Sequence, residues 1–189
     1  MITLIYPILP YLLSWITSSN PVEPAPAKTK VVWSESTRLN SSYFQAIPDA
    51  SSFSQSFSAS GVELEYTCKH GFFKPTISAY FVCSQSWIKN GADKNLVALE
   101  QLKFDMAHYH AIKLQKKLSN MDSPCALNKK EMDAVVLEIN TELHKMQEQA
   151  EQMSEFGKEA DVLEMWSLKL EIEVETMVAV DRNRSFSDK

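Results

Sequence analysis

The chain has 189 residues, 44% of them hydrophobic and 23% charged, enough for one domain with its own core. A formal net charge of −5 and an isoelectric point near 5.4 speak against the clustered basic face of a nucleic-acid-binding domain. Only four glycines are present, and no Gly-rich fingerprint of a P-loop or a dinucleotide-binding turn occurs.

Residues 1–19 are apolar and uncharged, and Thr17 and Ser19 are small enough to suit a signal peptidase. The segment reads as a secretory signal cut near Ser19 or Asn20. It lacks the usual preceding Lys or Arg, so a retained membrane anchor is the alternative, although Pro7 and Pro10 weaken a spanning helix. No cysteine follows the apolar run, which leaves no lipoprotein attachment site. Residues 20–30, with Pro21, Pro24 and Pro26, read as a Pro-rich linker. Residues 31–178 then read as one domain and residues 179–189 as a polar tail.

Within that domain, residues 31–34 predict a first strand. Residues 39–48 predict an irregular segment packing Tyr43 and Phe44. The Ser-rich stretch 50–60, anchored by Phe53 and Phe57, is either a loop or a short strand. Val62-Glu63-Leu64-Glu65-Tyr66 alternates apolar and charged residues, the period of a half-buried strand. His70-Gly71 marks a turn, and residues 77–83 return as the second arm of a β-hairpin.

Helical texture follows. A first helix is expected over about 95–118, with Leu99, Leu102, Met106, Tyr109 and Leu114 among its apolar positions. A second, about 128–153, places Met132, Val135, Val136, Ile139, Leu143, Met146, Ala150 and Met153 on one stripe. Gly157 interrupts, and a third helix carries Val162, Leu163, Trp166 and Leu170. The Met-bearing stripe is read as helix core in preference to a partner-binding face. Glu148, Glu151, Glu155 and Glu159 are read as a solvated face. Strands followed by helices predict an α+β domain: a small N-terminal antiparallel sheet packed with about three helices.

Three cysteines remain. Cys68 and Cys83 fall on the neighbouring predicted strands and make the better disulfide pair if one forms; three separate buried thiols are the alternative. His108 and His110 lie two positions apart, about 200° around a helix, and so point to different faces. They make no ligand pair by themselves, and no serine, cysteine or aspartic nucleophile has recognisable partners.

The most informative stretch is Leu99-Glu100-Gln101-Leu102-Lys103-Phe104-Asp105-Met106. In a His-Glu-x-x-His helix, two imidazoles one turn apart hold Zn²⁺ and the Glu serves as general base for a metal-bound water. Here the Glu stands at Glu100, while Leu99 and Lys103 occupy the ligand positions. Leucine has no donor atom, and a charged ammonium has no lone pair. Other segments keep the same order: Trp33-Ser34-Glu35, Leu39, Phe44-Gln45, Pro48, Ala59-Ser60-Gly61, Phe81, Ser86-Trp87, Phe156-Gly157 and Trp166. Together, over roughly 31–170, they resemble a family of secreted bacterial zinc-dependent proteases that is defined as a domain of unknown function. The resemblance implies a zincin-like arrangement, with a third ligand position at Phe156. Ser41 and Tyr43 stand where the family usually has a Trp and an Asp.

All three imidazoles are thus replaced, and the resemblance implies a degenerate member. It would be an exported protein, periplasmic or extracellular, with a zinc-peptidase-like scaffold, no bound zinc and no catalysis. It would serve as an envelope binding or scaffold protein for an unknown protein or peptide partner, with no nucleic acid and with membrane attachment only through residues 1–19. The alternative is an active metallopeptidase or other hydrolase that keeps Glu100 as general base with non-standard ligands. Physically, Glu100 and Lys103 lie one turn apart and are expected to pair. Lys103 would then take over the metal's positive charge, while Leu99 and Phe156 fill the vacated volume. A plain solvated helix face at Glu100 and Lys103 is the competing reading.

Overall fold

A computed structural model describes residues 30–89 and 94–187 of the chain. The expected signal segment, nearly all of the linker and the last two residues of the tail lie outside the described residues.

The chain is an α+β domain. In chain order it forms β1 (Val31–Val32), β2 (Ser56–Phe57), β3 (Ser60–Lys69), β4 (Phe72–Phe81), β5 (Trp87–Ile88), α1 (Lys94–Ser119), α2 (Lys129–Met153) and α3 (Ala160–Ser187). One antiparallel sheet has the order β1-β4-β3, and β2 pairs antiparallel with β5 in a second, two-stranded ribbon. The hairpin β3–β4 pairs Lys69 with Phe72 across His70-Gly71. Both turn residues have positive φ, 53° and 81°. That pattern closes a two-residue hairpin without splaying its strands, and glycine supplies the second position at no steric cost.

α1 is the central element. It packs on β3 and β4 on one side and on α2 and α3 on the others. Its buried residues run around the helix: Leu99, Leu102, Phe104, Met106, Ala107, Ala111, Leu114 and Leu118, together with Glu100, Lys103 and His110. A helix covered on most sides takes whatever lies on its polar stripe into the interior as well. α2 starts at a capping box in which Asn128 accepts from Glu131 N–H and the Glu131 carboxylate accepts from Asn128 N–H. Its inner stripe, Met132, Ile139, Leu143 and Ala150, is buried as its periodicity predicts, whereas Met153 is exposed.

Three details differ from the sequence reading. Cys68 bridges Cys125, tying the distal end of β3 to the 3-10 turn Pro124–Ala126 that leads into α2. Cys83 is buried in the core beside Phe81 and takes no part in the bridge. Cys68 sits at the hairpin tip and Cys83 in the 3-10 turn just beyond its open end, so the length of the hairpin holds them apart. Second, α3 continues to Ser187, so the helical backbone extends through most of the expected tail. Third, the short strand β5 was not anticipated: its two residues are too few to show a period.

The outer edge of β3 is closed by a side chain. Asn140 on α2 accepts from Val62 N–H at 2.9 Å through Oδ1 and donates from Nδ2 to Val62 C=O at 2.9 Å. One amide thus stands in for a neighbouring strand. Gly61 gives these side chains room: a Cβ at that position would lie 2.8 Å from the Tyr80 hydroxyl and 3.0 Å from Asn140 Oδ1, so one of them would have to shift.

Candidate functional site

The inner face of α1 brings a carboxylate and an ammonium into the protein interior. Glu100 is fully buried and Lys103 is 6% exposed. Lys103 Nζ lies 3.2 Å from Glu100 Oε2 and 3.4 Å from Oε1. Ser56, at the start of β2, donates its hydroxyl to Glu100 Oε1 at 2.7 Å. Glu100 Oε2 accepts no well-formed hydrogen bond, so the ammonium is what compensates its charge. On the other side of Lys103, Glu151 Oε2 of α2 stands 3.9 Å from Nζ. Burial pushes the Glu151 carboxyl above the usual range, the nearby Lys103 charge opposes that rise, and Glu100 and Glu148 add to it.

Gln147 fastens the two helices and the strand together. Its Nε2 donates to the Lys103 carbonyl at 2.9 Å and to Ser60 Oγ at 3.1 Å, while His144 Nδ1 lies 3.3 Å from its Oε1. These groups border a cavity of about 590 Å³ lined by Ser56, Ser58, Ser60, Lys103, Glu148 and Glu151, with Phe57, Tyr80 and Val82 as apolar wall.

Leu99 and Phe156, the other two expected ligand positions, part company. Leu99 is buried in the core at 1% exposure. The turn between α2 and α3 reaches it through Gly157: a Cβ on that glycine would lie 3.5 Å from Leu99 Cβ. Phe156 itself is 50% exposed and fills no interior space, so the expectation that it packs the vacated volume is corrected. Its backbone explains why. Glu155, Phe156 and Gly157 all have positive φ (47°, 60° and 87°), and this left-handed run turns the Phe156 side chain outward while Gly157 docks on α1. Ser154, fully buried, holds the turn by accepting from Gly157 N–H at 3.1 Å.

Glu100 and Lys103 form the expected pair in the interior, which removes the solvated-face reading for these two residues. Glu151, read as part of a solvated acidic face, is instead drawn against Lys103. The residues missed were the serines. Ser54-Gln55-Ser56-Phe57-Ser58-Ala59-Ser60 alternates at period two, a visible sign that one face of the strand is hydroxylated. Gln147 carried no signal, since a lone glutamine on a helix is ordinary surface composition.

A second polar cluster secures the approach to α1. Trp33 Nε1 donates to Asp105 Oδ1 at 2.7 Å, Gln101 Nε2 donates to the same oxygen at 2.9 Å, and Gln101 Oε1 accepts from Leu39 N–H at 2.8 Å. Burial raises the Asp105 carboxyl above its ordinary value, and the hydrogen bonds from Trp33 and Gln101 pull the other way. The Trp33 ring stacks on His108 with centroids 3.5 Å apart, and burial lowers the His108 imidazole. His110 faces the core, its Nδ1 2.9 Å from the Met106 carbonyl, so the two histidines do occupy different faces.

The donor set at the His-Glu-x-x-His-like turn does not suit zinc. Its positions carry an alkyl group, an ammonium held by two carboxylates and an outward phenyl ring, where a catalytic site needs three protein ligands. Among the described residues, no three His, Cys, Asp or Glu side chains come together as a metal-holding group. Of the serines at the cavity, Ser56 donates its hydroxyl to the Glu100 carboxylate, Ser60 Oγ accepts from Gln147, and Ser58 Oγ is buried without a hydrogen-bond partner. No protein-family model, curated protein or solved structure matches the chain.

Proposed function

We propose that this chain is an exported, catalytically inactive relative of the secreted zinc-protease-like family, retaining a zincin-like scaffold as a binding or scaffold protein of the bacterial envelope. The observation that carries this reading is the buried Glu100–Lys103 pair, with Lys103 one helical turn from Glu100 at a position where the family has an imidazole. A buried carboxylate left alone is expensive, and the ammonium offsets that cost where a divalent cation would otherwise do so.

Three further features support it. Trp33, Leu39, Gln101 and Asp105, which carry part of the resemblance, are bonded to one another around α1. Gly157, the partner of the expected third ligand position, lies against Leu99. The Cys68–Cys125 bridge agrees with an oxidising compartment, as export through residues 1–19 implies. Among the described residues, no helix is long and apolar enough to cross a membrane.

The reading is tested by incubating the full chain with denatured casein, with and without added zinc, beside its Glu100→Gln variant. No cleavage above background is expected from either protein. Zinc-dependent cleavage that disappears in Glu100→Gln would overturn the proposal in favour of an active hydrolase.

A further inference from the structure

α3 carries apolar residues on two opposite sides. Leu163, Trp166 and Leu170 form the inner stripe and are buried in the core. Met165, Leu168 and Ile172 each follow an inner residue by two positions, about 200° around the helix, and so stand on the far side. There they are 49%, 54% and 63% exposed and border an open groove of about 600 Å³. A surface helix with one core-facing stripe is polar elsewhere, whereas a helix apolar on opposite sides is built to be covered on both. The outer three stand at i, i+3 and i+7, the spacing of anchors by which one helix packs along another.

The rim of that groove is acidic. Asp161, Glu164 and Glu173 border it together with the cation Lys169. The Lys169 ammonium is turned back over the Trp166 ring, 4.9 Å from its centroid, which draws it towards the inner stripe. Glu173 accepts from the Tyr109 hydroxyl of α1, so its carboxylate is held at one end of the groove. The rim is therefore negative, as is the chain at −5. A second copy is a poor occupant: parallel or antiparallel, two such faces set carboxylate against carboxylate, with Asp161 and Glu164 meeting themselves or Glu173. An anionic lipid surface is repelled for the same reason.

We infer that the outer face of α3 docks an amphipathic helix of a partner protein, one whose apolar stripe is flanked by Lys and Arg. Leucine-sized side chains of that helix pack between Met165, Leu168 and Ile172, and the unbranched methionine adapts to their shape. Its cations meet Asp161, Glu164 and Glu173 at the rim, which orients the partner and speeds encounter. The face is turned away from the core and from the Glu100–Lys103 pair on α1. It adds a partner surface to the account, and its test reads neither zinc nor cleavage.

The test is fluorescence anisotropy of a dilute, labelled model helix with leucine on one face and lysine on the other, titrated with the full chain beside a twin carrying glutamate for lysine. The lysine helix is expected to bind at least about tenfold more tightly than the glutamate twin. Leu168→Asp and Ile172→Asp are each expected to weaken the lysine helix at least about tenfold, although each adds a negative charge. Attraction by charge alone would do the opposite. Glu164→Lys is expected to weaken the lysine helix about fivefold. These three positions are exposed, so the variants should keep the wild-type circular dichroism spectrum and Tm, with Leu168→Ser taking the place of an aspartate variant that does not. Equal binding of the two peptides, binding of neither, or unchanged or tighter binding of the lysine helix by Leu168→Asp overturns the inference. Self-association of the full chain in sedimentation that Leu168→Asp abolishes would give the face to a second copy and overturn it as well.

Discussion

Lys103 Nζ lies 3.2 Å from Glu100 Oε2 inside the domain, with only 7% of the lysine side chain and none of the glutamate side chain exposed. Removing one partner of such a pair leaves the other charge buried and uncompensated. Lys103→Met is therefore expected to cost about 3–5 kcal/mol. Glu100→Gln preserves an acceptor for Ser56 and leaves Lys103 near Glu151, so its cost is smaller. The double variant should recover part of the Lys103→Met loss. Urea unfolding of the four proteins gives the coupling energy. A loss below about 1 kcal/mol for Lys103→Met would place the pair among exposed ion pairs and contradict its burial.

The Cys68–Cys125 bridge closes a separation of 57 residues between the hairpin tip and the approach to α2. On loop-closure entropy it contributes about 4 kcal/mol, and Cys68→Ala with Cys125→Ala should lose an amount of that order. Peptide mapping without reductant is expected to join Cys68 to Cys125 and to find Cys83 alkylated only after unfolding. A Cys68–Cys83 peptide would contradict the fold around the hairpin.

Asn140 supplies both hydrogen bonds that a further strand would give Val62. Asn140→Leu keeps approximate volume and strands the Val62 N–H and C=O, at a cost of about 2 kcal/mol. It also opens an edge, so concentration-dependent association in light scattering should accompany the stability loss. A variant as stable and as monodisperse as the wild type would show that the amide is dispensable.

Asp105 gives a pH signature with a definite sign. Burial raises its folded pKa above the ordinary 3.8. The folded state therefore binds this proton more readily than the unfolded chain, and the ionised group costs stability at neutral pH. That cost disappears as pH falls through the raised value towards the unfolded one. Asp105→Asn keeps an oxygen for Trp33 and Gln101 without a charge to bury. The variant's advantage over the wild type should be largest at neutral pH and shrink in acid; a pH-independent difference would contradict this.

The hairpin was legible because alternation at residues 62–66 and the His70-Gly71 turn are local signals. α2 was legible from its stripe and its Asn128 cap. The site was only half legible. Glu100 and Lys103 stand out by their spacing, but their burial depends on α2 and the strand segment at Ser56 folding over α1, which no short window of sequence encodes. The same holds for Glu151, whose place among exposed glutamates gave no sign that Lys103 lies opposite. Phe156 failed for a backbone reason: a left-handed run through Glu155 and Phe156 reverses the outlook of a residue that spacing alone would aim at Leu99. Cys125 lies far from Cys68 in sequence, and the contact between the 3-10 turn at Pro124–Ala126 and β4 that brings it near is tertiary.

The central claim is that an ammonium, not a metal, balances Glu100. It is tested most directly by elemental analysis of the full chain after equilibration with excess zinc at neutral pH and removal of unbound metal. Substoichiometric zinc, unchanged by Glu100→Gln, is the result the account predicts. One chelator-removable zinc per chain, lost in Glu100→Gln or Lys103→Met, would contradict it.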